Sequence, residues 1–114
     1  MQWMLLEHDR DGIHYDLLIE QEEACITFSF KTDPFKDLMG RCTRKPDHRK
    51  HYLTYEGEVA GGRGKVRRVR SGEVMDVKAK EDEILLLGIL SFEFRMEFKL
   101  IKETEWSYEV IPSR

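Results

Sequence analysis

The sequence, 114 residues long, predicts an all-β fold: a small closed or partly open β-barrel of about eight short strands. Three observations carry that expectation. Apolar and polar residues alternate with period two over residues 13–20, 24–30 and 92–100, the pattern of strands with one face buried. Turn-forming groups such as Asp9-Arg10-Asp11-Gly12, Thr32-Asp33-Pro34 and Glu103-Thr104-Glu105 break the chain at short intervals. The one helix candidate is short and peripheral.

Taken in order, residues 3–6 are an apolar first strand and Gly12 closes a hairpin into residues 13–20. On that second strand Tyr15, Leu17 and Ile19 share one face, and His14, Asp16, Leu18 and Glu20 the other. Gln21-Glu22-Glu23 reads as a turn into residues 24–30, with Ile26, Phe28 and Phe30 on one side. Asp33 is placed to cap a single helical turn over residues 34–39, with Pro34 at its first position. Residues 40–50 lack apolar periodicity and read as loop or a short edge strand, and residues 51–55 as β-forming. Four glycines between Gly57 and Gly64 predict a loop or bulged turn. This stretch lacks the strand-loop-helix setting and the terminal Lys-Ser/Thr of a phosphate-cradling loop. Strands follow at residues 65–69, 73–78 (after a turn at Ser71-Gly72), 83–87, 92–100 and 106–110, with Gly88 a bulge or turn.

Residues 1–114 are expected to form one domain, large enough for a single core. No apolar run approaches the roughly 20 residues that span a bilayer, and no signal peptide is visible, so the expectation is a cytoplasmic protein with no membrane partner. Cys25 and Cys42 show no metal-site or redox spacing, which fits a reducing compartment. A cysteine nucleophile or a serine triad has no support. The net charge of −3 conceals a basic segment: from Arg41 to Arg70 ten Lys and Arg oppose only Asp47, Glu56 and Glu58. That segment carries +7 and the remainder −10, the footprint of a polyanion partner, nucleic acid first.

A hairpin closing at Gly12 brings His8 beside His14 and Asp16. Two imidazoles and a carboxylate suit a divalent cation and leave positions open for water or substrate. Glu20 shares their strand face, either as a partner fixing an imidazole tautomer from behind or as half of a strand-end ion pair.

These residues also resemble a known family. His8-Asp9, four residues, then His14-Tyr15-Asp16-Leu17-Leu18-Ile19-Glu20 resembles the first motif of the 3′-phosphoesterase domain of bacterial DNA ligase D. Asp47-His48, Tyr52 and Tyr55-Glu56-Gly57 resemble its second motif, and residues 84–102 its closing strands. The resemblance implies a β-barrel holding a divalent metal, manganese first and zinc or cobalt otherwise, that trims 3′-phosphates or 3′-ribonucleosides from DNA ends in repair. It implies His8, His14 and Asp16 as metal ligands, and His48, supported by Tyr52, as the catalytic pair at the scissile phosphate. Arg44, Lys31, Arg67 and Arg68 would join His48 in binding substrate phosphates. The partners implied are primer-template 3′ ends and a separate repair ligase or polymerase. One departure stands out: the family has an arginine two residues after the ligand aspartate, and this chain has Leu18. Leu6 likewise replaces a polar residue. Arg10, Arg44 or one of Arg67, Arg68 and Arg70 would have to supply the missing phosphate contact. Without one, the chain would be a catalytically impaired relative that binds nucleic acid or a repair partner.

Overall fold

Each alternating run of the sequence is a strand in the computed structural model, which describes residues 1–112. The strands are β1 (Gln2–Asp9), β2 (Ile13–Glu20), β3 (Cys25–Phe30), β4 (Met39–His48), β5 (Gly57–Glu58), β6 (Lys65–Ala79), β7 (Glu83–Ile89), β8 (Glu93–Lys102) and β9 (Glu105–Pro112). They pair antiparallel in one sheet of order β1-β2-β3-β4-β9-β8-β7-β6-β5. β1 also pairs with β6, so every strand but β5 belongs to a closed eight-stranded barrel. Closure leaves these strands without the free edges of an open sheet. The 15 residues of β6 make it possible, since its first part pairs with β1 and its last part with β7.

Aromatic side chains fill the barrel. Phe28 stacks on Phe98 at 4.0 Å between centroids, and Trp106 meets Phe28 edge-on at 5.5 Å. Toward another part of the core Trp3 lies between Phe35 and Phe94, at 5.2 and 5.4 Å, and its indole N–H donates to the Ile89 carbonyl at 3.1 Å. Alternation along the first hairpin sends Trp3, Leu5, Leu17 and Ile19 into this core. Met4, Leu6 and Leu18 point the other way and, with Cys25, Leu53 and Val66, form a second small core on the outside of the wall. The hairpin is therefore apolar on both faces.

Four sequence expectations are corrected. Residues 40–50 belong mostly to β4, a full barrel strand between β3 and β9. Cys42 is its single buried residue, and inward-facing Arg44 lies over the Phe28 and Trp106 rings at 5.5 and 5.8 Å. A cation on aromatic faces fills a place where an apolar residue would have marked the strand. Residues 51–55 are not extended: Lys50–Leu53 form a 3₁₀ helix, because burying Leu53 in the outer core outweighs β propensity. Residues 34–39 are a turn, not a helix. Asp33 does cap it, its Oδ1 accepting from the Phe35 N–H at 2.8 Å, while its Oδ2 takes Arg70 Nε and Nη2 at 3.0 and 2.9 Å.

Finally, Ser71-Gly72 is not a turn but the middle of β6. A Cβ on Gly72 would lie 1.8 Å from the Ile89 carbonyl oxygen and 2.7 Å from Trp3 Nε1, so this glycine admits the close passage of β6 and β7. Gly88, also inside a strand, leaves room for the Phe94 ring in the same way. No helix among the described residues is long and apolar enough to cross a membrane.

Gly72→Ala sets a methyl group against backbone that cannot yield. We expect a loss of about 3 kcal/mol in chemical denaturation, the upper end for overpacking a core. Gly62→Ala, at a position with open space around it but a φ of 68°, should cost less, about 1–2 kcal/mol for an alanine in the left-handed region.

Candidate metal centre

The β1–β2 turn sets the geometry. Asp11 and Gly12 adopt φ of 54° and 109°, and the Arg10 N–H donates to the Gly12 carbonyl at 2.9 Å. Asp tolerates that region and glycine prefers it. The resulting register places His8 directly opposite His14, and Asp16 opposite Leu6 on the same outer face. The two imidazole centroids are 4.6 Å apart. His8 Nδ1 stands 3.6 Å from Asp16 Oδ2, and His14 Nε2 stands 3.4 Å from Asp16 Oδ1. One ligand atom from each of the three residues falls within 4.8 Å of the others.

Two features fit this trio to a cation. Asp16 is buried, and its Oδ1 has no hydrogen-bond partner. A buried carboxylate oxygen left without a partner is costly, and a cation between the three groups would satisfy it. His8 is also held in one tautomer. Its Nε2 lies 2.7 Å from the Arg63 carbonyl, which can only accept, so in the neutral ring Nε2 carries the proton and Nδ1 presents its lone pair toward Asp16.

Arg63 comes from the loop between β5 and β6. Its Nε donates to the Ala60 carbonyl at 2.8 Å, and the Val59 N–H donates to the Gly64 carbonyl at 2.7 Å. Gly64 has φ of 85°, and a Cβ there would lie 2.1 Å from the Asp9 carbonyl oxygen. The loop reaches His8 because glycine occupies this position.

His8, His14 and Asp16 line a groove of about 470 Å³ together with His48 and Tyr52. The His48 and Tyr52 rings meet edge-on at 5.9 Å, and His48 Nδ1 lies 3.0 Å from the Pro46 carbonyl, which leaves Nε2 as its free nitrogen. The five residues expected to carry the metal and the catalysis, His8, His14, Asp16, His48 and Tyr52, thus share one cavity. The groove lies on the outer side of the barrel wall, beside the outer core.

The basic residues expected to bind phosphate are elsewhere. Arg44 faces the barrel interior and pairs with Asp47 at 3.6 Å. Arg67 pairs with Glu7 at 3.2 Å and Arg68 with Glu56 at 3.6 Å. Lys31 lines a separate depression with Tyr15 and Thr32. The cations that do line the groove are Arg10, Lys45, Arg49 and Arg63. Lys45 was detectable in principle, since strand alternation puts it on the face opposite Arg44, across from Thr27. Arg63 was not, being 55 residues from His8 in sequence.

Glu20 forms the strand-end contact, accepting from the Gln2 N–H at 2.8 Å and pairing with Lys50 at 3.4 Å. The Gln2 N–H, aided by the Lys50 ammonium, holds its carboxyl below the usual value. The stabilisation from that shift is present above the unfolded pKa and disappears as pH falls through the folded one. Leu18 is fully buried in the outer core, where a guanidinium would meet apolar side chains.

Cys25 and Cys42 are buried. Burial, with the Glu20 charge adding to it, pushes the Cys25 thiol up to about 11, and burial alone pushes Cys42 to about 12.

No protein-family model matches this chain, and no curated protein is significantly similar to it in sequence.

Two outcomes are expected. If the trio binds a divalent cation, Gly64→Ala should weaken that binding by about 10- to 100-fold in titration calorimetry, the usual cost of losing an outer partner of a ligating histidine, while the circular dichroism spectrum is retained. Both thiols should resist a disulfide reagent at pH 8 in the native protein and react on addition of denaturant.

Proposed function

We propose that this chain is a metal-dependent phosphoesterase acting on phosphorylated nucleic-acid ends, DNA 3′ ends first, where it removes a 3′-phosphate or 3′-ribonucleoside. The observation that carries the reading is the meeting, in one groove, of the His8, His14 and Asp16 donor set with His48 and Tyr52 from more than thirty residues away. The motif resemblance to ligase D phosphoesterase domains points to the same five residues.

Each residue has a chemical task in this reading. His8 Nδ1, His14 Nε2 and Asp16 hold the cation, with manganese the preferred ion. The bound cation supplies Lewis acidity toward a phosphoryl oxygen. His48, through Nε2, would donate a hydrogen bond to the phosphate when protonated, or pass a proton to the departing 3′ oxygen while a water molecule forms the new bond to phosphorus and leaves with the released phosphate. Tyr52 holds that imidazole edge-on. Arg10, Lys45, Arg49 and Arg63 neutralise the strand's phosphates, with no sequence preference. They approach from the rim and so replace the arginine that Leu18 does not provide. The product would be a 3′-hydroxyl end ready for a polymerase or ligase on another chain.

A second reading has one observation behind it. Leu18 sits in the outer core, so the phosphate clamp of the resembled motif is missing, and a groove that binds without turnover fits that loss.

The experiment is release of inorganic phosphate from a primer-template bearing a 3′-phosphate, with manganese and with chelator. We expect metal-dependent release that falls more than about a hundredfold in His14→Ala and about 10²- to 10⁴-fold in His48→Ala. Manganese binding without release would favour the binding module, and no manganese binding would overturn both roles for the trio.

A further inference from the structure

Beyond the metal groove lies a second cavity, separated from it only by shared walls: Arg49, Tyr52 and Val59 line both. Its remaining side includes His51, Tyr55 and Lys65. The aromatic residues His48, His51, Tyr52 and Tyr55 fall at intervals of three, one and three, so the Lys50–Leu53 helix and its flanks gather them on one side. The rings of this cavity meet edge-on or tilted: His51 and Tyr52 at 5.2 Å and 70°, Tyr52 and Tyr55 at 5.9 Å and 88°, His51 and Tyr55 at 4.9 Å and 35°. Among the described residues no ring stacks parallel on any of them. The Arg49 guanidinium lies over Tyr52 at 5.9 Å, and neither Arg49 nor Lys65 has an acidic partner among the described residues. The Glu58 side of the cavity is structural as well, since its carbonyl accepts from the Tyr55 hydroxyl.

We propose that the His51–Tyr52–Tyr55 cluster is a stacking seat for the nucleobase next to the phosphate held in the metal groove, with Arg49 and Lys65 on the flanking backbone phosphate. The inference deepens the phosphoesterase reading and rests on it for what occupies the neighbouring groove. His51 is exposed, and Tyr52 and Tyr55, which pack on the outer core, are half-exposed. Aromatic side chains that reach solvent among cations bind unpaired bases with little regard to their identity, because every base presents a π-face. A base already stacked within a duplex offers no such face, so the preferred ligand is a single-stranded or frayed 3′ end.

The test is made on the ligand first, which leaves the protein intact. Single-stranded oligonucleotides ending in a 3′-phosphate carry 2-aminopurine, or an abasic site, as the last nucleotide. Binding is followed by aminopurine fluorescence for the first and by competition for the second, in chelator. We expect quenching on binding, and affinity for the base-bearing strand roughly fivefold to a hundredfold above that for the abasic strand. His51→Ala and Tyr55→Leu should erase most of that difference, whereas Tyr55→Phe, which keeps the ring and loses the Glu58 contact, should retain it. Equal affinity for base-bearing and abasic strands, or no binding of either, overturns the seat. Because chelator removes turnover from the measurement, a base preference without phosphate release would leave the seat standing and the esterase reading fallen.

Discussion

The grouping of His8, His14 and Asp16 depends on the register of one hairpin. His8 faces His14 because β1 and β2 pair as Leu5 with Leu17 and Leu6 with Asp16. A slip of one residue would turn every side chain to the opposite face. Burial on both faces opposes such a slip. Trp3, Leu5, Leu17 and Ile19 are committed to the barrel interior, while Met4, Leu6 and Leu18 are committed to the outer core. The candidate metal donors are thus carried on paired strands rather than on loops, and their spacing follows from backbone geometry.

Charge is organised less obviously. Of the ten cations between Arg41 and Arg70, six are matched to carboxylates: Arg41 to Glu105, Arg44 to Asp47, Lys50 to Glu20, Arg67 to Glu7, Arg68 to Glu56 and Arg70 to Asp33. Apart from Arg70–Asp33, whose carboxylate is buried, these exposed pairs contribute little stability. Their effect is on the field: what remains is Lys45, Arg49, Arg63 and Lys65, all of which line the two adjoining cavities. A segment with an even spread of positive charge in sequence becomes a local concentration of it in space.

The barrel was legible where side-chain alternation is strong. Phe94, Met96 and Phe98 on β8, and Trp106, Tyr108 and Val110 on β9, alternate in burial as their sequence does. β4 was hidden because its inward positions hold Cys42 and Arg44, and the 3₁₀ helix because its β-forming residues answer to the burial of Leu53. At the site, His8, His14 and Asp16 could be grouped from sequence since a single turn joins them. The Arg63 carbonyl, and the choice of Lys45 over Arg44, depend on contacts across the barrel wall and on which face a strand presents. The arginines that the resemblance offered for phosphate contact, Arg44, Arg67 and Arg68, are instead paired with Asp47, Glu7 and Glu56.

The three donors lie within nine residues of chain, from His8 to Asp16. The carbonyl that sets the His8 tautomer arrives only when β6 and its preceding loop dock on β1. An unfolded chain thus retains all three donors at short loop distance and competes for the ion, and a ligand stabilises a fold only by its preference for that fold over the open chain. A cation held by these three residues would therefore stay with the first hairpin through a partial opening of the β1–β6 seam, where the Arg63 carbonyl no longer fixes the His8 tautomer.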